Sequence, residues 1–222
     1  MSGVHVGVLG GTGPAGRGLA ARLASAGVEV TIGSRSKERA LETCQAIAAQ
    51  WPDHDLPLQA GDNSTAAGAE IVVVATPWDA AAPTAHSVRE LLDGKVVISM
   101  ANALAKVGDE FQPLVPPRGS VAASVAARAP GALVAAAFHH LPAKELADIA
   151  HPIDSDVLIC SDHPHATDVT AQLVRLIPGL RPLDAGRLSN AAPIEAFAAV
   201  ILQLNVKYRT RAAVKLTGID VV

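Results

Sequence analysis

The sequence is poor in aromatic residues, which make up only 3% of its 222 positions, although half of the residues are apolar. A core must therefore be built from alanine, valine, leucine and isoleucine. Such side chains suit helices packed closely on a parallel sheet better than an aromatic-rich sandwich of two sheets. The length suits one domain, or one domain with a small addition.

Cysteine, net charge and long apolar runs are also scarce. The two cysteines, Cys44 and Cys160, each stand alone in an apolar pattern, which predicts buried thiols and not a disulfide. The formal charge of −3 argues against a nucleic-acid binder, which needs a basic stripe. No apolar run reaches the roughly 20 residues of a membrane span, and the N-terminal residues lack a signal-peptide pattern. We therefore expect a cytoplasmic protein that binds neither membranes nor nucleic acids.

Near the N-terminus, a buried-strand pattern at 4–9 breaks into a glycine-rich turn and then into a helical pattern. The turn has the spacing G-x-G-x-x-G, formed by Gly11, Gly13 and Gly16. In this context the first glycine permits a tight turn, the second lets the backbone approach a pyrophosphate, and the third lets helix and strand pack closely. A second strand pattern at 28–32 completes a β-α-β unit. The unit predicts a dinucleotide site, with the pyrophosphate on the N–H groups that begin the helix.

The residues after the second strand indicate which dinucleotide is bound. An NAD site requires a carboxylate roughly 20 residues beyond the glycines, whereas hydroxyls and cations alternate here. Ser34 and Arg35 offer the hydroxyl and the guanidinium that a 2′-phosphate prefers, and Lys37 or Arg39 would add a second cation. In the alternative interpretation, Ser36 caps the next helix and the charges form a solvated face. The missing acid favours NADP(H).

Strand and helix patterns alternate along the chain. We predict strands at 4–9, 28–32, 58–60, 70–75, 95–100, 133–138, 157–160 and 180–184, and helices at 14–26, 36–50, 80–92, 120–128, 165–176 and 190–209, with a short helix before Gly68 and an irregular segment at 101–118. This order predicts an α/β fold with a Rossmann-type, doubly wound parallel sheet and a smaller C-terminal α/β part. The expected division is residues 1–150 for NADP binding and residues 151–222 for closing the substrate cleft.

Ligands of open α/β sheets bind beyond the carboxyl ends of the strands, so residues there are the first site candidates. Thr76 and Trp78 follow the strand at 70–75, and Met100 and Asn102 end the next strand, where they should reach the nicotinamide. His139 directly follows the strand at 133–138. The alternatives are a helix-covering role for Trp78 and a buried, hydrogen-bonded structural role for His139.

Two polar clusters have weaker interpretations. The His and Asp residues at 162–168 lack zinc-ligand spacing and suit a helix cap, so no metal site is predicted. The cations Lys207, Arg209, Arg211 and Lys215 either complement a helix end or bind an anionic second substrate.

Several blocks of the sequence together carry a family resemblance: Gly11–Gly13, Gly18–Ala20, Ile32–Arg35, Glu38–Ala40, Thr76–Trp78, Phe138–Ala143, Asp156–Cys160 and Ile177–Gly186. With them, nearly the whole chain resembles the coenzyme F420-dependent NADP reductases. The first block is common to many NADP enzymes. The block with two histidines and the late G-L-R-P-L-D-A-G block are more specific.

The resemblance implies direct hydride transfer between the nicotinamide C4 of NADP(H) and C5 of the deazaflavin coenzyme F420. The protein then needs to stack two rings and exclude water, while backbone N–H groups at 100–104 stabilise charge on the deazaflavin. It further implies that the NADP phosphate is held by Thr12, Ser34, Arg35 and Arg39, and that the positions beside the stacked rings are His139 and Leu141.

Two other functions stay open on the residues alone: an NADP-dependent reductase of another small acceptor (an imine, a ketone or a flavin), and a non-catalytic NADP(H)-sensing protein. The helix at 190–209 bears on oligomeric state, because its apolar set is too broad for one narrow stripe. That set is Ile194, Phe197, Ile201, Leu202 and Leu204. We expect part of it to pair with a second copy in a homodimer.

Overall fold

The structure, a computed structural model, describes residues 3–219, so the outermost residues of both predicted parts (1–2 and 220–222) lie outside the described range. The strands within it are β1 (His5–Leu9), β2 (Glu29–Ser34), β3 (Leu58–Asp62), β4 (Ile71–Val74), β5 (Val96–Ser99), β6 (Leu104–Val107), β7 (Glu110–Pro113), β8 (Leu133–Ala136), β9 (Ser155–Ser161) and β10 (Leu180–Asp184). The helices are α1 (Pro14–Ser25), α2 (Lys37–Gln50), α3 (Asn63–Ala67), α4 (Trp78–Ser87), α5 (Arg89–Leu92), α6 (Val121–Arg128), α7 (Ala143–Ala147), α8 (Pro164–Arg175) and α9 (Ala191–Tyr208).

Eight strands form one sheet in the order β10-β9-β8-β5-β4-β1-β2-β3. All neighbours run parallel except β8 and β9, which are antiparallel. From β1 the chain winds toward β3 and then crosses back to β4, so the order reverses between β1 and β4. This is the switch point at which open α/β sheets bind ligands. The predicted Rossmann-type sheet is confirmed, with the antiparallel β9 as a departure from its parallel pattern.

The central strand β4 is buried on both faces of the sheet. Ile71 and Val73 of β4 belong to one apolar cluster, and Val72 and Val74 belong to the other, as expected when alternate residues point to opposite faces. Alanine, valine, leucine and isoleucine dominate both clusters, and the two cysteines are buried free thiols, as the composition predicted.

Among residues 3–219, no helix combines the length and the apolar character that crossing a membrane requires.

The segment predicted as irregular contains an antiparallel hairpin of β6 and β7. Its two-residue turn begins with Gly108, whose φ of 60° is in the left-handed region. A glycine followed by aspartate is typical of the two-residue turns of short hairpins. The prolines in the same segment favoured an irregular structure, so the sequence analysis did not predict the hairpin. The hairpin matters for the site because β7 packs on α9.

Three other elements differ from the prediction. The helix expected at 80–92 begins earlier and divides into α4 and α5 at Val88, which has φ −123° and ψ 15°. The strand expected at 133–138 ends at Ala136, because Phe138 adopts a left-handed φ of 66°. The short helix α7 was not predicted. Beyond residue 150 the same sheet continues through β9 and β10, and the boundary there stays a prediction.

Candidate functional site

The glycine loop joins β1 to α1, and its three motif glycines occupy different environments. Gly11 donates its N–H to the carbonyl of Gly33 at 2.9 Å, which ties the turn to β2. A Cβ on Gly16 would lie 2.9 Å from the Cβ of Ala75, so this glycine permits close packing of α1 on the end of β4. A Cβ on Gly13 would find no atom closer than 3.7 Å, so the space beside it is open. The geometry suits a tight turn, a close packing contact and an open approach for a ligand.

Gly10 is a part of this loop that the motif spacing did not single out. Its φ is 69°, and a Cβ there would lie 2.4 Å from Cγ2 of Thr76. Its N–H donates to Oδ1 of Asn63 at 3.3 Å. The position therefore excludes side chains both by conformation and by space. The sequence does offer a signal for Gly10, because it directly precedes the first glycine of the motif, Gly11.

A cavity of about 650 Å³, here the first cavity, opens beside the glycine loop. Thr12 and Gly13 line it from the loop, and Ser34, Arg35 and Arg39 line it from the end of β2 and the start of α2. No carboxylate is among its lining residues. Two guanidinium groups, the hydroxyls of Thr12 and Ser34 and the N–H groups that begin α1 give the cavity the donors that a phosphate requires.

The neighbouring cations divide between this cavity and the surface. Lys37 forms an exposed ion pair with Asp62 at 3.4 Å and does not line the cavity, whereas Arg39 does. The Oγ of Ser36 accepts the N–H of Arg39 at 3.2 Å and so caps α2, as the alternative interpretation predicted. Arg39 is thus the second cation at the cavity.

Two more cavities continue along the carboxyl ends of the central strands. The middle cavity, of about 280 Å³, shares Thr76 with the first and is also lined by Trp78, Met100 and Asn102. The third cavity, of about 440 Å³, shares Asn102 with the middle one. Neighbouring cavities share residues, so the three form a row across the sheet edge.

The third cavity lies between the turn after β8 and the helix α9. His139 and Leu141 line it from the turn, Phe111 lines it from β7, and α9 contributes Ala198 and Ile201. Sequence reasoning had placed the two turn residues at a site but had interpreted the apolar breadth of α9 only as a dimer face. In the structure, Ile201 and Leu202 from that apolar set form part of the cavity wall.

Buried polar atoms without hydrogen-bond partners in the described part of the chain cluster at these strand ends. Five of the six such atoms lie here: Oγ1 of Thr76 after β4, Oγ of Ser99 at the end of β5, Oδ1 of Asn102 after β5, and both ring nitrogens of His139 after β8. The sixth, Oγ1 of Thr170, lies in α8. Buried polar groups are almost always paired in native proteins. Thr76, Asn102 and His139 also line the middle or the third cavity, where a bound ligand would satisfy their unpaired atoms, whereas Ser99 lines neither.

His139 is buried, yet it is one of the residues that line the third cavity. Burial and the neighbouring His140 lower its pKa to about 3, so the ring is neutral at physiological pH. Its carbonyl accepts a hydrogen bond from Nδ2 of Asn102 at 3.0 Å. The left-handed φ of Phe138, rare for a bulky residue, sets the direction in which the chain leaves β8. Backbone strain of this kind clusters at functional sites.

The histidines and aspartates at 162–168 are not arranged as a metal centre. Within the described range, no group of three or more His, Cys, Asp and Glu residues could hold a metal ion. His163 is the residue that precedes the first turn of α8, and the Asp162 carboxylate accepts the N–H of Leu188 at 3.3 Å.

Comparison with known proteins agrees with this geometry. The family described as "NADP oxidoreductase coenzyme F420-dependent" matches residues 5–103. An F420-dependent NADP reductase of Methanothermobacter marburgensis is 39% identical, with 97% of this chain and 99% of that protein covered. The reductase of the same name from Methanothermobacter thermautotrophicus is 34% identical, with 97% and 96% covered.

A solved structure shares the architecture as well. The crystal structure of a proposed F420-dependent NADP-reductase from Arthrobacter sp. FB24 superimposes with a TM-score of 0.81 at 25% identity. The match covers 97% of this chain and all of the other. The full-length sequence similarity, the matching fold and the row of cavities at the switch point agree: this chain belongs to the family of coenzyme F420-dependent NADP reductases.

Proposed function

We propose that this chain catalyses hydride transfer between NADP(H) and coenzyme F420, the two substrates in the name of its relatives. The observation that carries the proposal is the row of three cavities along the carboxyl ends of β1, β4, β5 and β8. The first cavity has phosphate-binding chemistry, and the third has an apolar wall with unpaired polar groups. Such a row suits a dinucleotide in the first cavity and a second ring-bearing substrate in the third, with their rings meeting at the middle cavity.

The residues of the first cavity fit NADP(H). Gly13 leaves open space where a pyrophosphate would approach the backbone, and Thr12 lies beside it. Ser34, Arg35 and Arg39 supply donors for a 2′-phosphate. A carboxylate that would accept ribose hydroxyls in an NAD site is missing from the lining. These residues would therefore hold the phosphorylated form of the dinucleotide.

The residues of the third cavity fit a flat ring with polar edges. His139 and Asn102 bury polar atoms that have no partner in the described part of the chain, and Leu141 and Ile201 offer apolar surface for a ring face. Met100 and Trp78 line the space between this cavity and the first. They are the residues placed to hold the nicotinamide end of the dinucleotide.

Bound F420 supplies the ring carbon that exchanges a hydride with the nicotinamide. The chain itself contributes binding, orientation and exclusion of water. The neutral ring of His139 can donate one hydrogen bond and accept another, but its low pKa keeps it from acting as a cationic acid near neutral pH. We therefore assign His139 and Leu141 to ring positioning.

The test is an anaerobic assay with NADPH and oxidised F420, followed at the deazaflavin absorbance. The wild-type protein should reduce F420, and Gly13→Val should not, because its side chain would occupy the open space beside the loop. Lys37→Met is the matched control that leaves the cavity lining intact. Parallel assays use an imine, a ketone and a free flavin. NADPH oxidation with one of these acceptors and none with F420 would overturn the proposal.

We further propose a homodimer, supported by the apolar surface of α9. Phe197, Val200 and Leu204 are apolar side chains that are exposed on one face of this helix, at the spacing i, i+3 and i+7. Exposed apolar surface of this extent on one helix is typical of an association site. A twofold axis along this face would bury it in both copies.

Finally, we propose that the protein acts in the cytoplasm. Support comes from Cys44 and Cys160, which are buried free thiols in different parts of the fold. Unpaired cysteines are typical of proteins in reducing compartments.

A further inference from the structure

The helix that starts at the glycine loop carries a buried arginine near its other end. Arg22 lies in the last turn of α1 and is only 2% exposed. It is the largest side chain in the structure's fully buried set. A buried guanidinium requires partners for its N–H groups, because an unpaired buried charge is strongly destabilising.

Within residues 3–219, the hydrogen bonds of the Arg22 side chain go to backbone carbonyls of the segment after the His139 turn. Nε donates to Leu146 at 3.1 Å, Nη1 donates to His151 at 2.7 Å, and Nη2 donates to Glu145 at 2.6 Å and also to Asp148. The carbonyls of residues 145, 146 and 148 belong to the last turn and C-terminal end of α7, where helix carbonyls generally lack internal partners. The carbonyl of Glu145 also accepts the N–H of Asp148 at 3.2 Å. The planar guanidinium thus caps α7 from α1.

The same face of α1 is shaped to receive α7. Gly18 lies one helical turn before Arg22, and a Cβ there would be 2.8 Å from the Cβ of Leu146 and 3.0 Å from the nitrogen of Ala147. A side chain at Gly18 would push α7 away. Gly18 and Arg22 therefore form one docking face, in which the first permits contact and the second binds the helix end.

The helix α7 continues directly from the wall of the third cavity. Leu141, Pro142, Ala143 and Lys144 line that cavity, and α7 begins at Ala143. A five-residue helix is not stable on its own in water. Its position, and with it the position of this wall, depends on contacts from outside the segment.

We propose that Arg22 is a positioning residue that fixes the acceptor-side wall of the site relative to the dinucleotide loop. This inference rests on the proposed function, because it takes the third cavity as the F420 site. One rigid helix of 12 residues, about 18 Å long, carries the glycine loop at its start and the α7 cap in its last turn. Substitution of Arg22 should therefore disturb ring alignment and leave the dinucleotide site in place.

The main test compares Arg22→Lys with Arg17→Lys, a matched change at an exposed arginine of the same helix. Lysine keeps the charge but lacks the planar fork that reaches several carbonyls. We expect Arg22→Lys to lower kcat/KM for F420 by about tenfold or more, while the Kd for NADPH, measured by fluorescence titration, stays within about threefold. Arg17→Lys should match the wild type in both measurements.

Hydrogen exchange provides a readout that does not depend on activity. In Arg22→Lys, amides of residues 143–148 should lose protection, whereas amides of β1 and of the first turn of α1 should keep it. Arg22→Ala with added guanidinium should regain part of both the protection and the turnover with F420.

Three outcomes would overturn the inference. They are unchanged kcat/KM in a folded Arg22→Lys, an equal loss of NADPH affinity and turnover, and unchanged protection at 143–148. If the wild type does not reduce F420 at all, the proposed function is wrong. The inference about Arg22 is then wrong too, because it takes F420 as the substrate of the third cavity. That result is distinguished from the others because it appears in the unmodified protein.

Discussion

At the scale of single residues, the proposed choice of dinucleotide rests on a few side chains at the end of β2. Arg35 and Ser34 line the first cavity together with Arg39, and Lys37 is paired with Asp62 on the surface. The two arginines are thus the cations that line the cavity, and they are the ones proposed to meet a 2′-phosphate. This division of charges supports the prediction of NADP(H) from the sequence. It also shows that cations close together in the chain have different surroundings: two line the cavity, and one forms a surface ion pair.

Arg35→Ala should weaken NADPH binding by about 1.5–3 kcal/mol, the range for hydrogen bonds to charged groups. NADH binding should change much less, because NADH lacks the phosphate that Arg35 is proposed to bind. Fluorescence titration of both dinucleotides measures the difference, with Lys37→Ala as the control. Equal losses for the two dinucleotides would show that Arg35 has a structural role instead.

His139→Ala should reduce turnover with F420 and leave the Kd for NADPH within a few-fold, because ring alignment and not dinucleotide binding is lost. The pKa of about 3 also predicts that the wild-type turnover shows no protonation step from this histidine between pH 5 and pH 8. A pH profile of kcat for both proteins tests this. A step near pH 6.5 that disappears in His139→Ala would contradict the assignment.

The residues that sequence reasoning missed at this scale depend on contacts across the chain. Asn63 binds the N–H of Gly10 although 53 positions separate them. Gly10 itself is required because Thr76, from the end of another strand, fills the space beside it. Local spacing identified the three motif glycines. It could not identify Gly10, because the contacts that require a glycine there come from Asn63 and Thr76, much later in the chain.

At the scale of elements, α9 is held against α6 by a buried carboxylate. Glu195 accepts the N–H groups of Val121 and Ala122 at 2.7 and 3.0 Å, at the start of α6. His140 adds a second attachment by donating from Nε2 to the carbonyl of Ile194 at 3.0 Å. These contacts place the cavity-lining half of α9 opposite the turn after β8.

Burial raises the pKa of Glu195 to about 7, although the two backbone N–H groups oppose this shift. A folded-state pKa above the unfolded value means that the protonated form is favoured on folding, so stability should fall as the pH rises from about 4.5 to about 7. The effect is on the order of 3 kcal/mol. Urea unfolding of the wild type and Glu195→Gln across this range measures it. The difference in their free energies of unfolding should change with pH, and a constant difference would contradict the assignment.

Long, strongly patterned elements were predictable, whereas short elements held by distant contacts were not. The strands around the switch point and the helix α2, capped by Ser36, follow directly from apolar patterns and capping chemistry. The helix α7 has too few residues for a periodic pattern, and it is capped by Arg22 from more than 120 positions earlier. The hairpin of β6 and β7 lies among prolines that favoured a loop interpretation.

At the scale of the whole molecule, the third cavity collects residues from separate parts of the chain. Asn102, Phe111, the turn at 139–144 and the helix α9 meet there. The sequence singled out His139 by its position after a strand, and the family resemblance, which the comparisons confirm, added Leu141. The sequence could not show that α9 lines the same cavity. A wide apolar face on a helix gives the same sequence pattern whether it contacts a ligand or a second subunit.

The proposed homodimer is tested at this scale by placing a charge on the exposed face of α9. Val200→Asp should shift the mass measured by light scattering from dimer to monomer, because a carboxylate would be buried without a partner at the interface. Leu91→Asp is the control, since Leu91 is an exposed apolar residue of α5. A wild-type mass that equals the monomer at every concentration would exclude the dimer.

The most direct test of the central claim follows the hydride itself. NADPH deuterated at one face of C4, and then at the other, is incubated anaerobically with oxidised F420 and the protein, and the reduced F420 is analysed by mass spectrometry. Direct transfer in a water-excluding site predicts that the label from one of the two NADPH forms appears in F420 without loss to solvent. Reduced F420 that carries no label from either form, or no reduction of F420, would contradict the claim.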